Sequence, residues 1–128
     1  MILDLLCEDA EWAQWPDDAL MACAGHARLV IDPIIFAEVS MGYRTMDGVD
    51  LPLSPDLIVR EPLPWAAAFR AGKAYEQYRR RGGIKRLPLP DFYIGAHAEV
   101  TGMRLLTRDA PRYRTYFPTV EIIAPNLP

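Results

Sequence analysis

Between Leu87 and Asp109 the sequence runs through a loop, a helix, a strand and a second acid. Leu87-Pro88-Leu89-Pro90 is punctuated by prolines, which end one element or open the next. Asp91-Phe92-Tyr93-Ile94-Gly95-Ala96-His97-Ala98 predicts an apolar helix over 91–101. An aspartate opens it, where the helix dipole and orphan amides favour a negative charge, and Gly102 supplies the C-cap. Arg104-Leu105-Leu106-Thr107 predicts a short buried strand, and Asp109 follows its carboxyl end. In open α/β sheets, ligands and catalytic groups gather at that edge. Two acids delivered there by a helix start and a strand end suggest a site for a hard divalent cation.

The remaining chain repeats the pattern. Arg28-Leu29-Val30-Ile31 predicts a strand, and Asp32-Pro33 then places an N-cap aspartate and a first-position proline before a helix that fades at Gly42. Residues 45–55 read as loop or one short helical turn. Leu57-Ile58-Val59 is a brief strand. Pro64 opens a helix in which Trp65, Ala68, Phe69, Gly72, Tyr75 and Tyr78 recur at three- and four-residue spacing, which predicts that this face packs. Val120-Glu121-Ile122-Ile123 is the last strand. Ahead of all these, residues 1–24 read as helix, broken at Pro16 and stopped by Gly25. Alternating strands and helices imply a parallel sheet covered on both faces. A domain of that class usually opens with its buried central strand. This chain opens in a helix, so a first strand is expected to be missing. The length, 128 residues, suits a single domain over 1–128.

Composition excludes several functions. The net charge of −3 gives no overall basic field, so any nucleic-acid contact must rest on a local patch. No apolar run approaches the ~18 residues of a membrane span, and no signal peptide pattern is present, which leaves no membrane role and the cytoplasm as the expected location. Cys7 and Cys23 lie in the same predicted helical region, too far apart along it to bond, and read as reduced buried residues. His26 and His97 lack metal-ligand spacing and read as structural, with His97 on the polar side of its helix. No nucleophile elbow or phosphate-binding glycine loop occurs.

Each candidate acid has a plain alternative. Glu38 sits in the apolar run Ile34-Ile35-Phe36-Ala37-Glu38-Val39, where a carboxylate is costly unless paired or metal-bound; otherwise it lies on an exposed helix edge. Asp91 stabilises a helix start, and Asp109 caps the next helix. Together, the three come from separate elements placed to converge, as a magnesium or manganese site requires. Asp32 and Glu99 are lesser candidates. Arg79-Arg80-Arg81 with Lys85 and Arg86 puts five basic residues in eight. They either complement a helix C-terminus or contact a phosphate backbone. Trp12, Trp15 and Trp65 are apolar anchors for a partner or core residues.

Three blocks, in this order, resemble those of PIN-domain proteins, and most of all the VapC-type toxins: Pro33 to Val39, Leu89 to Ala98, and Leu105 to Tyr113. The resemblance covers nearly the whole chain. It implies a three-layer α/β/α domain around a parallel sheet. It also implies a Mg2+- or Mn2+-dependent endoribonuclease that cuts structured RNA such as tRNA with a metal-activated water. Such a toxin pairs with a cognate antitoxin and forms a homodimer. By motif, Glu38, Asp91 and Asp109 match three of the four metal-holding acids. Thr107 matches a hydroxyl position near the metal, and Arg79, Arg80, Arg81, Lys85 and Arg86 would guide RNA. The family opens with a strand ending in a further aspartate. Met1 to Leu6 resembles the end of that block, with Asp4 at its later, helical aspartate. The fourth acid and first strand are therefore expected to lie before Met1. The alternative is a catalytically impaired remnant that binds antitoxin or RNA without cutting.

Overall fold

A computed structural model of the chain describes residues 5–8, 28–82, 89–107 and 109–123. Its elements are β1 (Leu5–Glu8), β2 (Arg28–Ile31), α1 (Pro33–Ser40), α2 (Met46–Asp50), β3 (Ile58–Arg60), α3 (Trp65–Arg80), α4 (Leu89–Thr101), β4 (Arg104–Leu106), α5 (Ala110–Arg114) and β5 (Ile122–Ile123). The five strands form one sheet in the order β3-β2-β1-β4-β5, and helices flank it in an α/β/α arrangement.

The pairs β2–β3 and β4–β5 are parallel, whereas β1 is antiparallel to both β2 and β4. Hence β2, β3, β4 and β5 all point one way and β1 points the other. The carboxyl ends of the four aligned strands make one edge. Asp32 leaves β2 there, Glu61 leaves β3, and Thr107 and Asp109 leave β4.

The middle of the sheet departs from the sequence expectation. It is filled by Leu5-Leu6-Cys7-Glu8, read above as helix. Leu6 pairs with Val30 on one side and Leu105 on the other, and Leu5, Leu6 and Cys7 are all buried. A strand covered on both faces carries a continuous apolar run. Over so few residues that run cannot be told from a helix by periodicity. The same correction removes the argument about the cysteines, which assumed one helix spanning both. Cys7 is disulfide-bonded, not reduced. Cys23, like Asp4, Trp12, Trp15 and His26, lies outside the described residues.

The packing face of α3 is also shifted. Ala67, Ala71, Ala74 and Tyr78 are buried, while Trp65 and Phe69 are 91% and 69% exposed. Of the face expected to pack, Tyr75 and Tyr78 do so, but Trp65 and Phe69 do not. The alanine stripe wins because its small side chains let α3 lie closely along α4. There, Tyr75 and Tyr78 meet Phe92 at ring-centroid distances of 5.3 and 5.6 Å. Tyr116 and Phe117 complete this cluster, 5.4 and 6.2 Å from Phe92.

Phe117 explains a glycine. A Cβ on Gly95 would stand 2.5 Å from Phe117 Cδ2 and 2.6 Å from its Cε2. The ring is buried and carries the Arg70 guanidinium 4.9 Å above it, so it has little room to withdraw. Gly95→Ala is therefore expected to destabilise the fold by about 2 kcal/mol. Overpacking of this kind typically costs ~1–3 kcal/mol, and the better helix propensity of alanine returns only part of it. A urea titration should show a lower midpoint at unchanged slope.

Candidate metal and active site

The two acids that suggested a site are brought together. Asp91 lies in the first turn of α4 and is 4% exposed. Its Oδ2 accepts a hydrogen bond of 2.8 Å from Arg112 Nη1. Asp109 follows β4 at the N-cap position of α5, yet its side chain makes no capping bond. Its Oδ2 lies 3.0 Å from Arg112 Nε. The helix-cap alternative for Asp109 thus holds for its position but not for its carboxylate. Arg112 sits between the two acids, and its single positive charge offsets part of their combined negative charge. Without a counter-charge, the buried Asp91 carboxylate would carry a large desolvation penalty.

Thr107 sets the backbone of this corner. It is buried, and its N–H donates to Ile123 O at 3.1 Å, continuing the β4–β5 ladder. Its Oγ1 accepts from the Asp109 N–H at 3.0 Å. The hydroxyl therefore orients the turn that presents the Asp109 carboxylate.

Glu38 is half-buried on α1. It does not join the other two in a three-carboxylate set: among the described residues, no group of three His, Cys, Asp or Glu side chains stands close enough to hold a metal ion. The residues present fit a divalent cation in one respect. Two hard oxygen donors from separate elements already converge on one positive charge, the Arg112 guanidinium.

A second buried group lies beside β2 and β3. His97 is completely buried, not on a polar side, because the middle of α4 is covered all round: Ile94, Gly95, Ala96 and Ala98 are buried with it. Its Nδ1 is 2.8 Å from Asp32 Oδ2. An ionised carboxylate only accepts, so this bond places a proton on Nδ1. Asp32 Oδ1 meanwhile accepts from Ile35 N at 2.9 Å, capping α1. Among the described residues His97 Nε2 finds no hydrogen-bond partner, and it stands 3.8 Å from Glu61 Oε2. The bond to Asp32 gives His97 a structural task. It ties α4 to the start of α1, and an open cavity of about 640 Å³ adjoins Asp32 and Glu61.

The basic stretch is partly placed. Arg79, Arg80 and Arg81 are exposed at the end of α3. Arg80 pairs with Glu76 at 3.6 Å, and the Arg81 guanidinium lies 5.6 Å from the Tyr116 ring centroid. Tyr78 and Phe92 connect that end of α3 to the first turn of α4, next to Asp91. Lys85 and Arg86 lie outside the described residues. Glu99 is held by Arg70 at 2.6 Å, and Arg70 also donates to Tyr116 O at 2.7 Å, so a structural role accounts for it.

Sequence reading missed Arg112. Its one local signal is the spacing of three residues from Asp109, which brings the two side chains together on a helical turn. The bond to Asp91 spans elements and had no signal in the sequence.

The PIN domain family profile matches residues 2–118. No curated protein matches the sequence. Among solved structures, the chain is similar to VapBC2 from Rickettsia felis bound to a promoter DNA fragment, at TM-score 0.65 and 17% identity, covering 87% of each chain. It is also similar to VapBC-1 from nontypeable Haemophilus influenzae, at TM-score 0.60 and 17% identity over 76% of this chain and 74% of that one. FitAcB from Neisseria gonorrhoeae follows at TM-score 0.55 and 18% identity, over 75% and 74%. At these identities the likeness is one of fold. The sheet edge with its acid pair, and the profile match over most of the chain, define the class: the chain belongs to the PIN domain family.

Proposed function

We propose that this chain is a metal-dependent endoribonuclease, the toxin of a toxin–antitoxin pair, cleaving structured RNA of the tRNA kind. The observation that carries this reading is the convergence of Asp91 and Asp109 on a single cation at the carboxyl edge of β4 in a chain of the PIN family. Asp91 and Asp109 would hold Mg2+ or Mn2+, and Glu38, which stands apart from them in this arrangement, would close on the ion as a third ligand when it binds. When bound, such an ion supplies a hydroxide at neutral pH and offsets charge on the phosphate.

The chain's own residues have separate tasks. Thr107 holds the turn that presents Asp109. Burial keeps Asp91 short of competing water, which strengthens its attraction for any cation. Arg79, Arg80, Arg81, Lys85 and Arg86 contact the RNA backbone, so binding should weaken as salt rises. By analogy with the VapBC and FitAcB assemblies, the partner is an antitoxin. The toxin works as a cytoplasmic homodimer of single PIN domains; no helix among the described residues is long and apolar enough to cross a membrane.

Metal removal tests the reading. Purified protein with Mn2+ is expected to cut a tRNA pool, EDTA to stop the cleavage, and excess Mn2+ to restore it. RNA left intact at every Mn2+ concentration would count against it. Such a result would favour a second reading, an impaired module that binds antitoxin or RNA without cutting. That reading draws on the guanidinium between the two acids and on the lack of a third acid beside them among the described residues.

A further inference from the structure

Resting on the metal-dependent reading, we propose that Arg112 is an internal counter-cation: it holds the Asp91–Asp109 pair when no divalent ion is present and competes with that ion for the same oxygens. The geometry is specific. Nη1 donates a hydrogen bond of 2.8 Å to Asp91 Oδ2 on α4, while Nε lies 3.0 Å from Oδ2 of Asp109, three residues earlier in the chain, in an ion pair without hydrogen-bond geometry. One guanidinium therefore joins acids from two elements. These are the acids the motifs assign to the metal.

Burial makes the contact consequential. The Asp91 side chain is 6% exposed and that of Arg112 35%, so solvent screens the pair only in part. Guanidinium stays charged at every pH at which the protein is folded, so it cannot leave by losing its proton. A divalent ion must instead displace it, and the side chain, open on one side, can swing outward. The cost of that displacement lowers the apparent metal affinity. The gain is that the acids do not repel one another when metal is scarce.

The test is Mn2+ binding followed by electron paramagnetic resonance, with thermal unfolding alongside. Arg112→Gln should bind Mn2+ about ten- to a hundredfold more tightly than the parent chain, the equivalent of losing one charge-assisted hydrogen bond to the competitor. Without metal it should melt at a lower temperature, and Mn2+ should raise that temperature by more than in the parent. Arg114→Gln is the control. It removes the same charge from the same short helix at an exposed position, and should change affinity by less than about threefold, the scale of a screened surface charge. In the unmodified chain, the Arg112 Nε–H resonance should move when Mg2+ is added, a readout that survives if the glutamine variant does not fold. Equal Mn2+ affinity in Arg112→Gln and the parent, or equal tightening in Arg114→Gln, would overturn the competition while leaving the nuclease reading intact. An unmoved Nε–H signal under saturating Mg2+ would do the same. Failure of every form to bind Mn2+ would overturn both.

Discussion

Asp91→Asn is expected to lower Mn2+-supported RNA cleavage by about 10²–10³-fold, the usual scale for removing one charged group from a preorganised site. The fold should survive. Asparagine has the shape of aspartate, and its side-chain oxygen can still accept from Arg112 Nη1, now 2.8 Å from Asp91 Oδ2. The loss should therefore appear in the rate and in the Mn2+ concentration needed, with circular dichroism and melting temperature little changed. A variant that cuts RNA at the parental rate would remove Asp91 from the site. One that simply unfolds would mark it as a structural carboxylate held by Arg112.

Asp32→Ala should cost about 3 kcal/mol of stability. Its Oδ1 caps α1 through Ile35 N, and losing such a cap typically costs ~1 kcal/mol. Its Oδ2 is the partner of the fully buried His97 Nδ1, and a buried donor stripped of its partner costs a further ~1–3 kcal/mol. The two contributions separate in a double-mutant cycle. In a His97→Leu background the ring nitrogen is gone, so Asp32→Ala should cost only the cap, leaving a coupling of about 1–2 kcal/mol between the two sites. Urea unfolding of the four proteins measures it. A coupling near zero would mean that the 2.8 Å contact contributes nothing to stability.

These two residues differ in how far the sequence revealed them. Asp32-Pro33 was legible as a helix start because capping is local: an acid and a proline act on amides within the next turn. The link from Asp32 to His97 was not legible, since it joins residues 65 apart in sequence. Asp91 and Asp109 were legible as acids at a helix start and a strand end. That Arg112 lies between them depends on how α5 turns back toward α4. The alanine stripe on α3 is hidden from a periodicity argument that weights large side chains, whereas close packing of two helices favours the smallest.

Local chemistry in the sequence was enough to determine the order of most elements, the α/β class, the cap at Asp32 and the acids of the candidate site. The tertiary structure alone decided three things. It placed Leu5–Glu8 as a central antiparallel strand, because a short apolar run takes its form from the neighbours that cover it. It buried His97 between Asp32 and Glu61. And it set one guanidinium between Asp91 and Asp109: the contact with Asp109 is local, but the bond to the buried Asp91, 21 residues away in sequence, forms only where packing brings α5 to the start of α4.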